Sequence, residues 1–184
     1  MVDYQYYLKE VLISEAQLQK RIKELGAQIS ADYATSDSLL LICILRGGVL
    51  FLTDLMRHIT VPHAIDFMAV SSYGVGGRES QGAVRIKMDL MTDIRDRDVL
   101  IVEDIVDSGH TLSSVMQLLS TRKPSSLNIC TLLDKEERRE VEVPIRYHGF
   151  VIPNKFVFGY GLDLDELFRN LPFVGVVDLE KYDA

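Results

Sequence analysis

Apolar residues recur at helical spacing in "SEAQLQKRIKELGAQISADY", where Leu18, Ile22, Leu25 and Ile29 fall on one face between Ser14 and about Tyr33. Ser14 and Gln17 stand three apart ahead of that stripe, as in a capping box, so an amphipathic helix is predicted. The near-continuous apolar run "SLLLICIL" then reads as a buried strand, Arg46-Gly47-Gly48 as a turn, and "VLFLTDLMRHI" as a second helix. Further strands are predicted at "HAIDFMAVSSY" and "AVRIKMDL". Between them, residues 74–82 hold four glycines among polar residues, which predicts a mobile loop. The polar turn "MTDIRDRD" leads into the strand "VLIV", a helix from about His110 to Thr121, and after Pro124 the strand "SLNICTLLDK".

Buried strands alternating with helices predict an α/β fold with a central, mainly parallel sheet flanked by helices. Beyond residue 140 the pattern breaks into short segments punctuated by Pro144, Pro153 and Pro172 and rich in aromatics, which predicts a cap over the sheet's edge. The 184 residues are expected to form one domain, with a core of about 14–140 and a hood of about 1–13 plus 141–184. A chain of this length, 47% hydrophobic, can bury about 70% of its unfolded surface in a single core.

Charge narrows the function. A formal net charge of -7 gives no general attraction to nucleic acid or anionic lipid, so any phosphate site must be built locally. No apolar run approaches the roughly 18 residues of a membrane span and the N-terminal residues lack a signal-peptide pattern, so a cytoplasmic location is expected. Cys43 and Cys130 lie inside apolar runs and read as buried thiols without chemistry. His58, His63 and His148 are isolated and show no zinc-ligand spacing.

The chemistry concentrates in "VLIVEDIVDSGHTLSSV", where a buried strand ends in Glu103 and Asp104 and leads through Asp107, Ser108 and Gly109 into a helix. In open α/β sheets ligands bind beyond the carboxyl ends of the strands, where residues 103–111 would fall. The helix start offers unpaired N–H groups and a positive dipole end, and Ser108, Gly109 and Thr111 add hydroxyls and close backbone approach, so a phosphate monoester fits there. Two adjacent carboxylates suit either a divalent cation or ribose hydroxyls. Neither a P-loop nor a dinucleotide fingerprint occurs in the chain.

This stretch closely resembles the phosphoribosyl-pyrophosphate motif of phosphoribosyltransferases: apolar strand, two acids, two apolar residues, Asp, Ser/Thr, Gly, any residue, Thr. Within that family, "LRGG", "SSYG", "LLDK" and "NKFVFGYGLDLDELFRN" are similar to the hypoxanthine-guanine branch, with a type I fold and a hood built from the N- and C-terminal segments. The resemblance implies transfer of a phosphoribosyl group to a 6-oxopurine, giving IMP or GMP and pyrophosphate, in a homodimer or homotetramer that binds these small molecules and neither nucleic acid nor membrane.

The resemblance also implies roles. Residues 107–111 (Asp107, Ser108, Gly109, His110, Thr111) would bind the 5'-phosphate, and Glu103 and Asp104 would lie by the ribose and Mg2+, with Asp163 as a further metal ligand beside the purine. Asp107 would take the proton from purine N7. Arg46 and Gly47, with a cis peptide before Arg46, and Arg169 would bind pyrophosphate. Ser72 and Tyr73 would open a lid that excludes water, Lys135 would donate to purine O6, Phe156 would stack on the base, and the Val157 backbone would meet its edge. His110 stands where relatives often carry Lys or an apolar residue, and Arg46 replaces a lysine found in some. RNA-binding regulators that retain this motif need a basic face that the chain lacks, and a two-acid magnesium phosphatase would need a nucleophilic aspartate in a different motif.

Overall fold

The computed structural model describes residues 3–72 and 84–182. In chain order the elements are α1 (Tyr4–Tyr7), β1 (Leu8–Ile13), α2 (Glu15–Asp32), β2 (Leu39–Ile44), α3 (Val49–Met56), β3 (His63–Ser72), β4 (Val84–Met88), β5 (Asp98–Val106), α4 (His110–Ser120), β6 (Ser126–Asp134), a 3-10 turn (Glu136–Arg138), β7 (Ile145–Val151), β8 (Val157–Phe158), β9 (Val174–Val177) and α5 (Leu179–Tyr182).

Six strands form the main sheet in the order β4-β3-β2-β5-β6-β7, parallel throughout except for β4, which pairs antiparallel with β3. All six residues of β2 are buried because both faces of the sheet are covered. Leu41, Cys43, Leu100 and Val102 pack with Leu18, Ile22, Leu25 and Ile29 of α2 and Phe51, Leu52 and Leu55 of α3. On the other face Leu40, Ile42, Val99 and Ile101 meet Leu112, Val115 and Leu119 of α4.

Helix α2 starts where its capping residues dictate: the Ser14 side chain accepts from the Gln17 N–H and the Gln17 side chain accepts from the Ser14 N–H. Its four predicted apolar residues are all buried, and each such aliphatic side chain stabilises the fold by about 1.5–3 kcal/mol.

A second sheet, β1-β9-β8, is antiparallel and forms the hood. It shares the larger core through Ile13, Val157, Val174 and Val176 and closes a small cluster of its own around Phe158, Leu164, Leu171 and Val177. Residues 145–151, expected in the hood, instead form the sixth strand of the main sheet, beside β6. Pro144 and Pro153 bracket this strand without interrupting it, and among the described residues it pairs on one side only, as an edge strand.

Candidate active site

The main sheet reverses its order of connection between β2 and β5, since β2 is followed outward by β3 and β5 by β6 in the opposite direction. Such a switch point leaves a crevice at the carboxyl ends of the two strands. Into it fall Arg46 and Gly47, after β2, and residues 103–111, at the end of β5. A cleft of about 190 Å³ is lined there by Glu103, Asp107, Ser108, Gly109, Thr111 and Leu112, among others.

Helix α4 begins at Gly109, which has a φ of 90°, and no side chain caps it. Only glycine adopts that backbone readily, and a Cβ would also collide with the Val141 carbonyl oxygen. The first amides of α4 therefore keep their hydrogen-bonding capacity at the cleft wall, the arrangement that binds phosphate.

Glu103 and Asp104 are enclosed together. Burial, then the neighbouring Asp104 charge and a hydrogen bond between the two groups, pushes Glu103 well above the usual carboxylate range. Burial raises Asp104 as well, against the opposing effects of the Glu103 hydrogen bond, the Ile105 N–H at 2.9 Å from Oδ1, and the charge of Arg169. Glu103 Oε2 is buried without a hydrogen-bond partner among the described residues.

Beside them Asp107 meets two cations: Arg138 Nε donates to Oδ1 at 2.8 Å, and Lys135 Nζ lies 3.5 Å from Oδ2. Lys135 is 8% exposed, although it lies in the charge run "DKEERRE". Its N–H donates to the Val106 carbonyl at 2.9 Å, which fixes it next to Asp107. The sequence reading missed Arg138 and Arg139, because a run of charges ordinarily marks a solvated face.

Arg46 follows a cis peptide from Leu45, as the resemblance implies. Its guanidinium pairs with Glu166 at 2.5 Å, and Glu166 also lies 3.6 Å from Arg169. Arg169 in turn pairs with Asp163 at 2.7 Å and donates to the Gly161 carbonyl at 2.8 Å. Glu166 was likewise missed; it is held over the arginines by a φ of 68° and by its N–H donating to Asp163 at 2.9 Å.

The remaining predicted residues make other contacts. Phe156 is 42% exposed, meets Tyr182 edge-on at 5.7 Å and lines a cleft with Lys155 and Val176. Val157 is buried in the larger core. Ser72 ends β3 opposite Val84, whereas Tyr73 and the glycine-rich loop lie outside the described residues. His110 Nε2 sits 2.9 Å from Glu140. His148 is not isolated: it stands with Asp134 and Glu136, their ligand atoms all within 4.8 Å, and Arg139 pairs with Asp134 in the same cluster.

Residues 12–165 match the model of the phosphoribosyl transferase domain. A hypoxanthine phosphoribosyltransferase of Escherichia coli K12 is 53% identical over 171 residues, covering 92% of this chain and 96% of that protein. A hypoxanthine-guanine phosphoribosyltransferase of Mycobacterium tuberculosis H37Rv is 53% identical over 180 residues, covering 95% and 89%. Among solved structures, a hypoxanthine phosphoribosyltransferase of Staphylococcus aureus superposes with a TM-score of 0.92 at 48% identity, covering 97% of this chain and 96% of that one. The strand order, the hood and these likenesses together establish that the chain belongs to the phosphoribosyltransferase family, in its hypoxanthine-guanine branch, and is a glycosyl-transferring enzyme.

Proposed function

We propose that the protein is a purine salvage enzyme that transfers the 5-phosphoribosyl group from phosphoribosyl pyrophosphate to N9 of hypoxanthine or guanine, giving IMP or GMP and pyrophosphate. The observation that carries this reading is the Lys135–Asp107 pair, an ammonium donor and a carboxylate acceptor 3.5 Å apart at the mouth of a phosphate cradle. A 6-oxopurine offers O6 and N7 side by side on one edge. With a proton on N7, that edge is the complement of the pair: O6 accepts from Lys135 and N7–H donates to Asp107. A 6-aminopurine would bring a donor against the ammonium.

In this reading residues 107–111 hold the 5'-phosphate at the start of α4, and Arg46, Gly47 and Arg169 receive the pyrophosphate. N9 attacks the anomeric carbon, the bond to pyrophosphate breaks, and Asp107 accepts the N7 proton as the purine loses its charge. Phe156 and the Val157 backbone are assigned to the base, and Ser72 and Tyr73 to a lid.

The hard oxygens of Glu103 and Asp104, one of them buried and unpartnered, fit Mg2+, and Asp163 would add a third carboxylate. Mg2+ bound there supplies positive charge that neutralises the leaving group. Asp163 now has one oxygen on Arg169 and the other on the Glu166 N–H.

The test is turnover with phosphoribosyl pyrophosphate and Mg2+ against hypoxanthine, guanine, xanthine, adenine and uracil. Use of 6-oxopurines alone is expected; equal or exclusive use of adenine overturns the reading.

A further inference from the structure

We propose that Arg139 is a positioning residue that holds the phosphate loop and Lys135 in one frame. The inference rests on the functional reading above, because it concerns how that site is kept in register. After Lys135 the chain makes its 3-10 turn and returns beneath the loop that joins β5 to α4. There the Arg139 side chain is only 12% exposed. One end of its guanidinium, Nη1, donates to the Asp107 carbonyl at 2.9 Å; the other, Nη2, pairs with the carboxylate of Asp134, whose side chain is 2% exposed.

The next two residues complete the floor. The N–H groups of Glu140 and Val141 both donate to the Ser108 carbonyl at 3.0 Å, and the Val141 carbonyl packs where a Cβ on Gly109 would have to go. The peptide planes on both sides of Ser108 are therefore set from below. Those planes decide where the amides at the start of α4 point.

Asp134 immediately precedes Lys135, so the guanidinium ties the residue assigned to purine O6 to the loop assigned to the 5'-phosphate. Its planar fork reaches the two acceptors from two separate nitrogens, a span that the three donors on lysine's one nitrogen lack. The remaining oxygen of Asp134 lies 3.1 Å from His148 Nδ1. A displacement of about 1 Å at a reacting group costs on the order of a hundredfold in rate, so such a tie bears on turnover as well as on folding.

The experiment compares Arg139→Lys and Asp134→Asn with the unaltered enzyme in turnover, in melting, and in binding of two probes: GMP, which carries a 5'-phosphate, and pyrophosphate with Mg2+, which does not. For Arg139→Lys we expect a cooperative melt, a loss of about tenfold or more in GMP affinity and in kcat, and pyrophosphate affinity within about twofold of the original. Asp134→Asn should shift the same quantities in the same direction. Unaltered GMP affinity and turnover in folded Arg139→Lys would overturn the proposal, as would equal losses for GMP and pyrophosphate, which signify general loosening. If Arg139→Lys does not fold, Asp134→Asn decides by the same criteria. Thr111→Val serves as the control on the underlying reading: unchanged GMP affinity there removes the phosphate cradle itself, whereas a loss there with none at Arg139 removes only the positioning role.

Discussion

A Cβ on Gly47 would occupy the space already filled by the Asp104 carboxylate. The turn after β2 and the acid at the end of β5 thus touch with no room for a methyl group. Gly47→Ala is expected to fold with a loss of about 1–3 kcal/mol and to need more Mg2+ for half-maximal turnover, because the carboxylate must move. An Mg2+ titration of activity checks this; an unchanged midpoint contradicts it.

Asp107 is half-exposed and bonded to Arg138 and Lys135. The Arg138 pair is exposed on both sides and contributes about 0–1 kcal/mol, whereas Asp107→Asn leaves the nearly buried Lys135 ammonium without its counter-charge, so the melting temperature should fall by several degrees while the melt stays cooperative. Its turnover with hypoxanthine should fall by at least about tenfold, the lower part of the range for losing a general base. Near-normal turnover of the purified variant would remove Asp107 from proton transfer.

Lys135→Met retains most of the apolar stem but removes the donor. We expect kcat/KM for hypoxanthine to drop by about a hundredfold or more while that for adenine changes far less, narrowing the ratio between the bases. Parallel losses for both bases would show that the ammonium does not read position 6.

Glu103 carries a pH prediction whose sign follows from burial. Its folded value lies above the ordinary carboxylate range, so the native state holds a proton that the unfolded chain has released. Its contribution is therefore present at acid pH and is lost as pH rises from the ordinary value through the raised one. Glu103→Gln should melt higher than the unaltered enzyme at pH 8, by about 2–4 °C for each kcal/mol relieved, and should flatten the dependence on pH. Calorimetry from pH 5 to 8 tests it; identical pH profiles would contradict it.

Glu166 pairs with Arg46 and lies 3.6 Å from Arg169, so an anion arriving at these arginines would compete with it. Both partners of the Arg46 contact are more than half exposed, so the competition is weak, about 0.2–1 kcal/mol. Glu166→Gln should accordingly bind pyrophosphate about two- to fivefold more tightly, with the gain shrinking in high salt. Weaker binding would mean that the carboxylate supports the anion site.

Most of the fold was legible because it follows from period and punctuation. Leu18, Ile22, Leu25 and Ile29 declared a helix, and the run from Leu39 to Ile44 declared a strand covered on both faces. The strand at residues 145–151 was not legible. Its flanking prolines resemble breaks, and its burial is uneven because it lies at the sheet's edge. At the site, the local string from Glu103 to Thr111 could be read as physics, since strand, acids and helix start are consecutive. Arg139 could not: its partners, Asp107 and Asp134, are brought to it by the parallel pairing of β5 and β6, and nothing in a charged run shows which side chain turns inward. Glu166 depends similarly on a left-handed backbone that no local spacing betrays.

The two thiols have a practical consequence. Cys43 and Cys130 are fully buried, burial pushes the Cys43 thiol up to about 12, and it pushes Cys130 higher as well. Alkylating reagents attack the thiolate, and neither side chain offers one while the central strands are paired. Labelling of these cysteines therefore clocks the opening of β2 and β6 themselves, giving a stopwatch for core breathing that needs no added probe.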